Sequence, residues 1–202
     1  MKKLFVMILL FLGALSANAQ AVKVSFGIKG FGLGILPQTE VAPTTMAQLG
    51  GGGGAFLGTR IVNFIGLQAE ALYGYQVASY TIENFGEQTW QSTQQYLYVP
   101  LIFQAWLGRG FAFEFGYQQA IALSGTLNTG SEIKNDTGIL DYGSVVAGMN
   151  INMGKVAFLN FRYLYALDNS YVMTTTPSRN MGVQVGLGFR FFTSKKSVFK
   201  KR

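Results

Sequence analysis

The residues of this sequence most able to do chemistry are the few charges inside otherwise apolar segments. Glu70 and Glu114 each interrupt a run of alternating apolar residues, and Arg60, Arg162 and Arg190 hold equivalent places in other runs. Two carboxylates could work as a general acid and base if a substrate reached them. The same charges could instead line an ion pathway, or pair with one another inside a packed interior. We favour pairing, because a buried charge without a partner is costly.

Other kinds of catalytic or metal site find little support. The chain has no histidine and no cysteine, which removes histidine and thiolate metal sites and the usual base of a serine hydrolase. The glycines at 50–54 are not followed by Gly-Lys-Ser/Thr, and those at 30–34 lack dinucleotide-binding spacing. We therefore predict a non-enzymatic protein without catalytic residues, cofactor or metal.

The composition describes a folded or membrane-inserted chain of one domain. Its 202 residues are 49% hydrophobic and only 12% charged, against a usual charged share of about 25%. Seventeen phenylalanines and ten tyrosines argue against disorder.

The first nineteen residues have the pattern of a secretory signal peptide. Lys2 and Lys3 precede an apolar run from Leu4 to Leu15, and Ala17-Asn18-Ala19 forms an A-x-A cleavage site. The alternative is a short membrane anchor, but a spanning helix needs about 20 apolar residues. We predict that residues 1–19 are removed and that the mature chain begins at Gln20 and is exported.

The mature chain alternates apolar and small or polar residues with a period of two, which is typical of strands with two unlike faces. Phe111, Phe113, Phe115 and Tyr117 would share one face, and Glu114 would lie on the other. The clearest such segments are 65–77, 97–105, 111–117, 145–153, 159–167 and 181–191, with 22–33 and a weaker 52–60 beside them. The count is eight strands.

The connections between these strands alternate in length. The segments at 35–50, 81–92, 124–138 and 169–179 are long, and those at 62–64, 107–110 and 154–155 are short. Bacterial outer-membrane barrels have short periplasmic turns and long outer loops. We therefore predict an all-β fold over residues 20–192, an eight-stranded antiparallel up-and-down transmembrane β-barrel in the cell outer membrane, with the N-terminus in the periplasm.

A soluble β-sandwich would also alternate, but its polar face would meet water and carry many charges. Here that face is mostly glycine, alanine, glutamine and asparagine, which suits the narrow interior that eight strands enclose. Large inward residues such as Tyr98, Ile102 and Trp106 favour a closed interior.

The basic charge is concentrated in a tail at 193–202, which we predict to lie in the periplasm. It holds five of the sixteen basic residues, and without it and the leader the chain has nine basic and nine acidic residues. The charge therefore gives no support for nucleic-acid binding. The tail is either solvated or in contact with anionic lipid or an acidic partner.

Several motifs resemble the PorT-family outer-membrane β-barrel domain. They are Tyr-Leu-Tyr-Val-Pro-Leu-Ile-Phe at 96–103, Phe-Glu-Phe-Gly at 113–116, Leu-Asp-Tyr-Gly at 140–143 with Gly148, Phe-Arg-Tyr at 161–163 and Val-Gly-Leu-Gly-Phe-Arg-Phe at 185–191. The resemblance implies a barrel of the cell envelope, and the family's namesake supports protein secretion and gliding.

Two functions remain open. One is an envelope scaffold or accessory, possible partners being outer-membrane lipid and envelope or secretion proteins. The other is a barrel that transports or binds a small solute. We expect a monomeric barrel.

Overall fold

The computed structural model describes residues 23–38, 47–62, 64–82, 88–128, 133–135, 140–168 and 179–195. Within these ranges no helix is long and apolar enough to cross a membrane. The described chain forms nine strands: β1 Lys23–Gln38, β2 Ala47–Val62, β3 Ile65–Ile82, β4 Gln88–Leu107, β5 Phe111–Asn128, β6 Ile133–Asn135, β7 Tyr142–Met153, β8 Ala157–Ala166 and β9 Arg179–Lys195.

Eight of these strands close into one antiparallel barrel. Each pairs with its neighbours along the chain, and β1 pairs with β9 to complete the ring. Strand β6 has three residues and only extends the end of β5 beyond the ring. The predicted eight-stranded up-and-down barrel is confirmed.

Several strands run further than the alternation indicated, and the longest extensions are towards the long connections. Strand β1 continues to Gln38, and β2 already begins at Ala47. In β4 the extension carries polar residues on both faces: Gln94 is buried and Gln95 is half-buried. Outside a bilayer a strand needs no apolar face, so the sequence pattern fades before the hydrogen bonding does.

The short connections fall where the sequence placed them, at one end of the barrel. They join β2 to β3, β4 to β5 and β7 to β8. Gly108 and Gly154 adopt φ values of 69° and 81°, a conformation that other residues rarely accept.

The two faces of the wall are confirmed in β5. Phe113, Phe115 and Tyr117 are exposed on the outside, whereas Ala112 and Glu114 are fully buried on the inside. An apolar outer surface and a mixed interior are the faces of a membrane barrel.

Strand β1 departs from this rule in its second half. Three apolar residues there point inward, Phe31, Leu33 and Ile35, while the alternate positions Gly30, Gly32 and Gly34 face outward. The inward set also includes Lys29, which is 2% exposed. Apolar character therefore changes sides within one strand.

Two predicted segments lie mostly outside the described residues. The signal peptide at 1–19 is not among them, and of the tail at 193–202 only 193–195 are described, as the end of β9. The signal peptide and the tail remain predictions.

Candidate functional site

Near the middle of the barrel interior, three of the predicted charges and one further lysine form what we call the charged layer. Its members are Lys29 on β1, Glu70 on β3, Glu114 on β5 and Arg162 on β8. The side chains of all four are fully buried. Two cations and two carboxylates leave the layer with no net charge.

Arg162 is the centre of the charged layer. Its Nη2 lies 2.6 Å from Glu70 Oε1 and its Nη1 lies 3.0 Å from Glu70 Oε2, so one carboxylate receives a two-pronged bond. Its Nε lies 2.6 Å from Glu114 Oε2. This geometry uses the planar guanidinium in a way that a lysine could not.

Further donors bond to both carboxylates of the layer. Lys29 Nζ donates to Glu70 Oε2 at 2.9 Å, and Gln68 donates to Glu70 Oε1 at 2.7 Å. Gln104 and Asn150 both donate to Glu114 Oε1, at 2.9 and 3.2 Å. Every carboxylate oxygen in the layer therefore has at least one donor, as buried charges require.

Glycine makes the contact between β5 and β8 possible. Gly148, on the strand between them, pairs with Glu114 on one side and with Arg162 on the other. A Cβ added to Gly148 would lie 3.0 Å from Arg162 Cγ and would collide with the carbonyl oxygen of Phe161. A side chain here would occupy the space through which Arg162 reaches Glu114.

The other predicted inward charges lie elsewhere. Arg60 stacks on the Trp106 ring at 4.6 Å and donates to the Gly108 carbonyl at 2.8 Å. Arg190 lies 4.5 Å from the centre of the Phe158 ring. Both residues are near the short connections. Asp141, at the opposite end, accepts a bond from the Ala122 backbone N–H at 2.8 Å.

Beyond the charged layer, towards the long connections, the interior is filled by an aromatic plug that consists of Phe31, Tyr96, Tyr98 and Tyr142. Tyr96 and Tyr98 stack with their ring centres 5.7 Å apart, and Tyr142 meets Tyr96 edge-on at 5.5 Å. Phe31 packs edge-on against Tyr98 at 6.0 Å. All four rings are buried, and aliphatic side chains such as Leu72 and Ile102 surround them.

The charged layer and the aromatic plug are suited to stabilising the barrel and not to catalysis. The carboxylates of Glu70 and Glu114 are both ion-paired and fully buried, so a substrate has no visible route to them. Among the described residues, no three or more His, Cys, Asp or Glu side chains are grouped as metal ligands.

The sequence brought together Glu70, Glu114 and Arg162 correctly and placed Tyr98 inside, but it missed Lys29 and the other rings of the plug. Lys29 shares its face with Phe31, and an apolar phase is normally assigned to the outside. Its spacing of two from that phenylalanine therefore predicted the outer face for Lys29.

Comparison with known proteins gives a family and a fold. The sequence matches the outer membrane protein beta-barrel domain family over residues 7–191. No functionally curated protein matches it.

Three solved structures are similar to the barrel. Neisserial surface protein A matches with a TM-score of 0.53 and 11% identity, over 83% of this chain and 99% of that one. The attachment invasion locus protein Ail of Yersinia pestis, solved with a heparin analogue, has a TM-score of 0.47 and 9% identity, over 85% and 100% of the two chains. OprG of Pseudomonas aeruginosa has a TM-score of 0.43 and 11% identity, over 86% and 97%. At these identities only the first likeness is informative, and it supports the fold alone.

Proposed function

We propose that this chain, which belongs to the outer membrane protein beta-barrel domain family and is located in the outer membrane, is a non-enzymatic scaffold whose barrel is closed to solutes. The observation that carries the proposal is the filled interior. Arg162 joins opposite walls through Glu70, and the aromatic plug covers that layer on the side of the long connections. Eight strands leave room for little besides side chains.

The partners follow from the two faces of the wall. Outer-membrane lipid is the partner we propose for the exposed apolar band, which includes Phe113 and Phe115. Because the eight strands of the ring each pair with two neighbours, a monomer is sufficient for a stable wall. The resemblance to the PorT family supports a further step, in which the barrel serves secretion or surface assembly as an accessory protein.

Conductance tests the closed barrel directly. Purified full-length mature protein is inserted into a planar lipid bilayer, with a large water-filled porin as the positive control. We expect no steady channels, because the charged layer and the plug block the axis. Reproducible unitary steps from the wild-type monomer would reject the scaffold in favour of a transport barrel.

The transport function has no specific support from the interior. A solute would have to displace Tyr96 and Tyr98, which are buried, and then break the bonds of Arg162 to two carboxylates. Breaking charge pairs that are buried would cost several kcal/mol. The scaffold is therefore the function that the geometry supports best.

A further inference from the structure

A cavity of about 160 Å³ lies at the end of the barrel that carries the short connections. We call it the basic cup and define it by four cationic residues that line it, Lys23, Arg60, Lys155 and Arg190. Gln68 and Gln104 also line it, and both belong to the bonding network of the charged layer. The cup therefore ends at the charged layer.

Among the residues that the structure describes, no carboxylate lines the cup. The nearest buried carboxylates, Glu70 and Glu114, already bond to Arg162 and Lys29 in a layer that is neutral as a whole. A concave site that is lined by charge of one sign attracts ions of the opposite sign. The ligand chemistry of the cup is therefore anionic.

The distribution of charge along the barrel axis also supports an anionic ligand for the cup. Apart from Glu70 and Glu114, the acidic residues that the structure describes are Asp141 and Asp168, and both lie beside long connections at the far end from the cup. Arg109 adds a further cation at the short connections, and β9 ends at the same end of the barrel with Lys195, which pairs with Lys23. This end thus attracts anions well beyond the cup.

One neutral donor in the cup is also available. Trp106 lines the cavity and is 8% exposed, and its buried indole N–H finds no acceptor among the described residues. A buried donor without an acceptor is unfavourable, and an entering oxygen could relieve it. An oxyanion would meet both the cations and this N–H.

The size of the cup decides between a small solute and part of a larger partner. Pockets that enclose a whole small molecule usually measure about 300–1,000 Å³. A cavity of about 160 Å³ has room for about five waters, or for one acidic side chain. The cup fits a single anionic group that projects from a polypeptide.

We propose that the basic cup is a docking socket for an acidic segment of a periplasmic polypeptide, which inserts a glutamate or aspartate side chain between Lys23, Lys155 and Arg190. The inference deepens the proposed scaffold function by naming the chemistry of its partner, and it rests on that function. It also uses the predicted orientation, in which the short connections face the periplasm.

A fluorescence titration tests the socket. Trp90→Phe leaves Trp106 as the single tryptophan of the full-length mature protein, which is placed in phosphatidylcholine nanodiscs at low ionic strength. Hexaglutamate is the probe and hexaglutamine the uncharged control. We expect a saturable change in Trp106 emission with hexaglutamate alone, weakened by added salt.

Charge removal locates the site. Lys23→Gln combined with Lys155→Gln should weaken hexaglutamate binding about tenfold or more, since two cationic contacts are lost. Lys134→Gln, in β6 at the other end, removes the same kind of charge and should leave binding unchanged. Far-UV circular dichroism verifies that each variant retains its barrel.

Three results would overturn the socket. The first is that hexaglutamate gives no saturable change, and the second is that Lys134→Gln weakens hexaglutamate binding as much as the double variant does. The third is that inorganic phosphate, or phosphatidylglycerol included in the nanodiscs, binds more tightly than hexaglutamate. The last result would identify a phosphate or lipid site instead. A failed titration leaves the closed barrel untouched, because conductance alone decides that proposal.

Discussion

Arg162 and Glu70 connect opposite walls of the barrel, with Nη2 2.6 Å from Oε1. Three strands of the ring separate β3 from β8 in either direction, so the two strands lie directly opposite each other across the interior. The backbone ladders hold neighbouring strands together, and this pair ties the two sides of the ring to each other.

The first prediction concerns Arg162→Ala. Loss of the guanidinium leaves Glu114 without its ion-pair partner, and the expected cost is about 3–5 kcal/mol of unfolding free energy. Urea titration in lipid vesicles measures it. Arg109→Ala, at an exposed turn, should change stability by less than about 0.5 kcal/mol.

The same titration can show that the cost is one of charge. In a Glu114→Gln background the Arg162→Ala substitution should cost clearly less, because the carboxylate that it strands has been removed. Equal costs in both backgrounds would mean that lost packing, and not the ion pair, explains the effect.

The second prediction compares two glycines. Gly148→Ala should destabilise the barrel by about 1–3 kcal/mol, because its Cβ meets Arg162 and the neighbouring backbone. Gly32→Ala should be neutral or stabilising by up to about 1 kcal/mol, since its Cβ points outward into open space. Matched urea titrations decide, and a Gly148→Ala barrel as stable as the wild type would contradict the proposed role of this glycine.

The third prediction concerns the outer face. Phe113→Arg should cost about 2–4 kcal/mol if the site is near the bilayer midplane. Ala112→Ser, on the interior face, should have a mild effect. Folding titrations of both variants in vesicles provide the measurement, and equal effects would reject the assigned faces.

The fourth prediction concerns orientation. Asn128, at the end of β5 near a long connection, is exposed, and so are Arg109 and Lys155 at short connections. The chain has no cysteine of its own, so a single introduced cysteine is the one site of labelling. Because the short connections are predicted to face the periplasm, an impermeant thiol reagent on intact cells should label the cysteine at position 128 and not those at 109 and 155. Labelling of Arg109→Cys from outside would mean that the barrel has the opposite orientation in the membrane. Glu83, Asn63 and Ser178 suit the same assay but lie outside the described residues.

Much of the wall could be predicted because lipid and interior impose opposite demands on alternate residues. Phe113 and Glu114 illustrate this: one side chain is favoured in hydrocarbon and the other excluded from it. Once these charges are placed inside, the cost of an unpaired buried charge predicts that Arg162 pairs with Glu70 and Glu114.

The rest could not be predicted because the interior accepts apolar residues as readily as polar ones. Phe31 is buried inside although its type suits the outer face, and Gly30 beside it gives no sign of which face is which. Without an assigned face for β1, Lys29 could not be added to the charged layer. The ring contacts of Arg60 and Arg190 likewise depend on neighbours across strands, which alternation does not reveal.

The bond between Glu70 and Arg162 also has a consequence in time. The two residues are 92 positions apart, on strands that face each other across a ring that the pairing of β1 with β9 closes. The transition state for folding should therefore lack this bond, and its loss should mainly accelerate unfolding. Arg162 would then set how long a folded barrel survives in the membrane, while leaving the rate at which new barrels form almost unchanged.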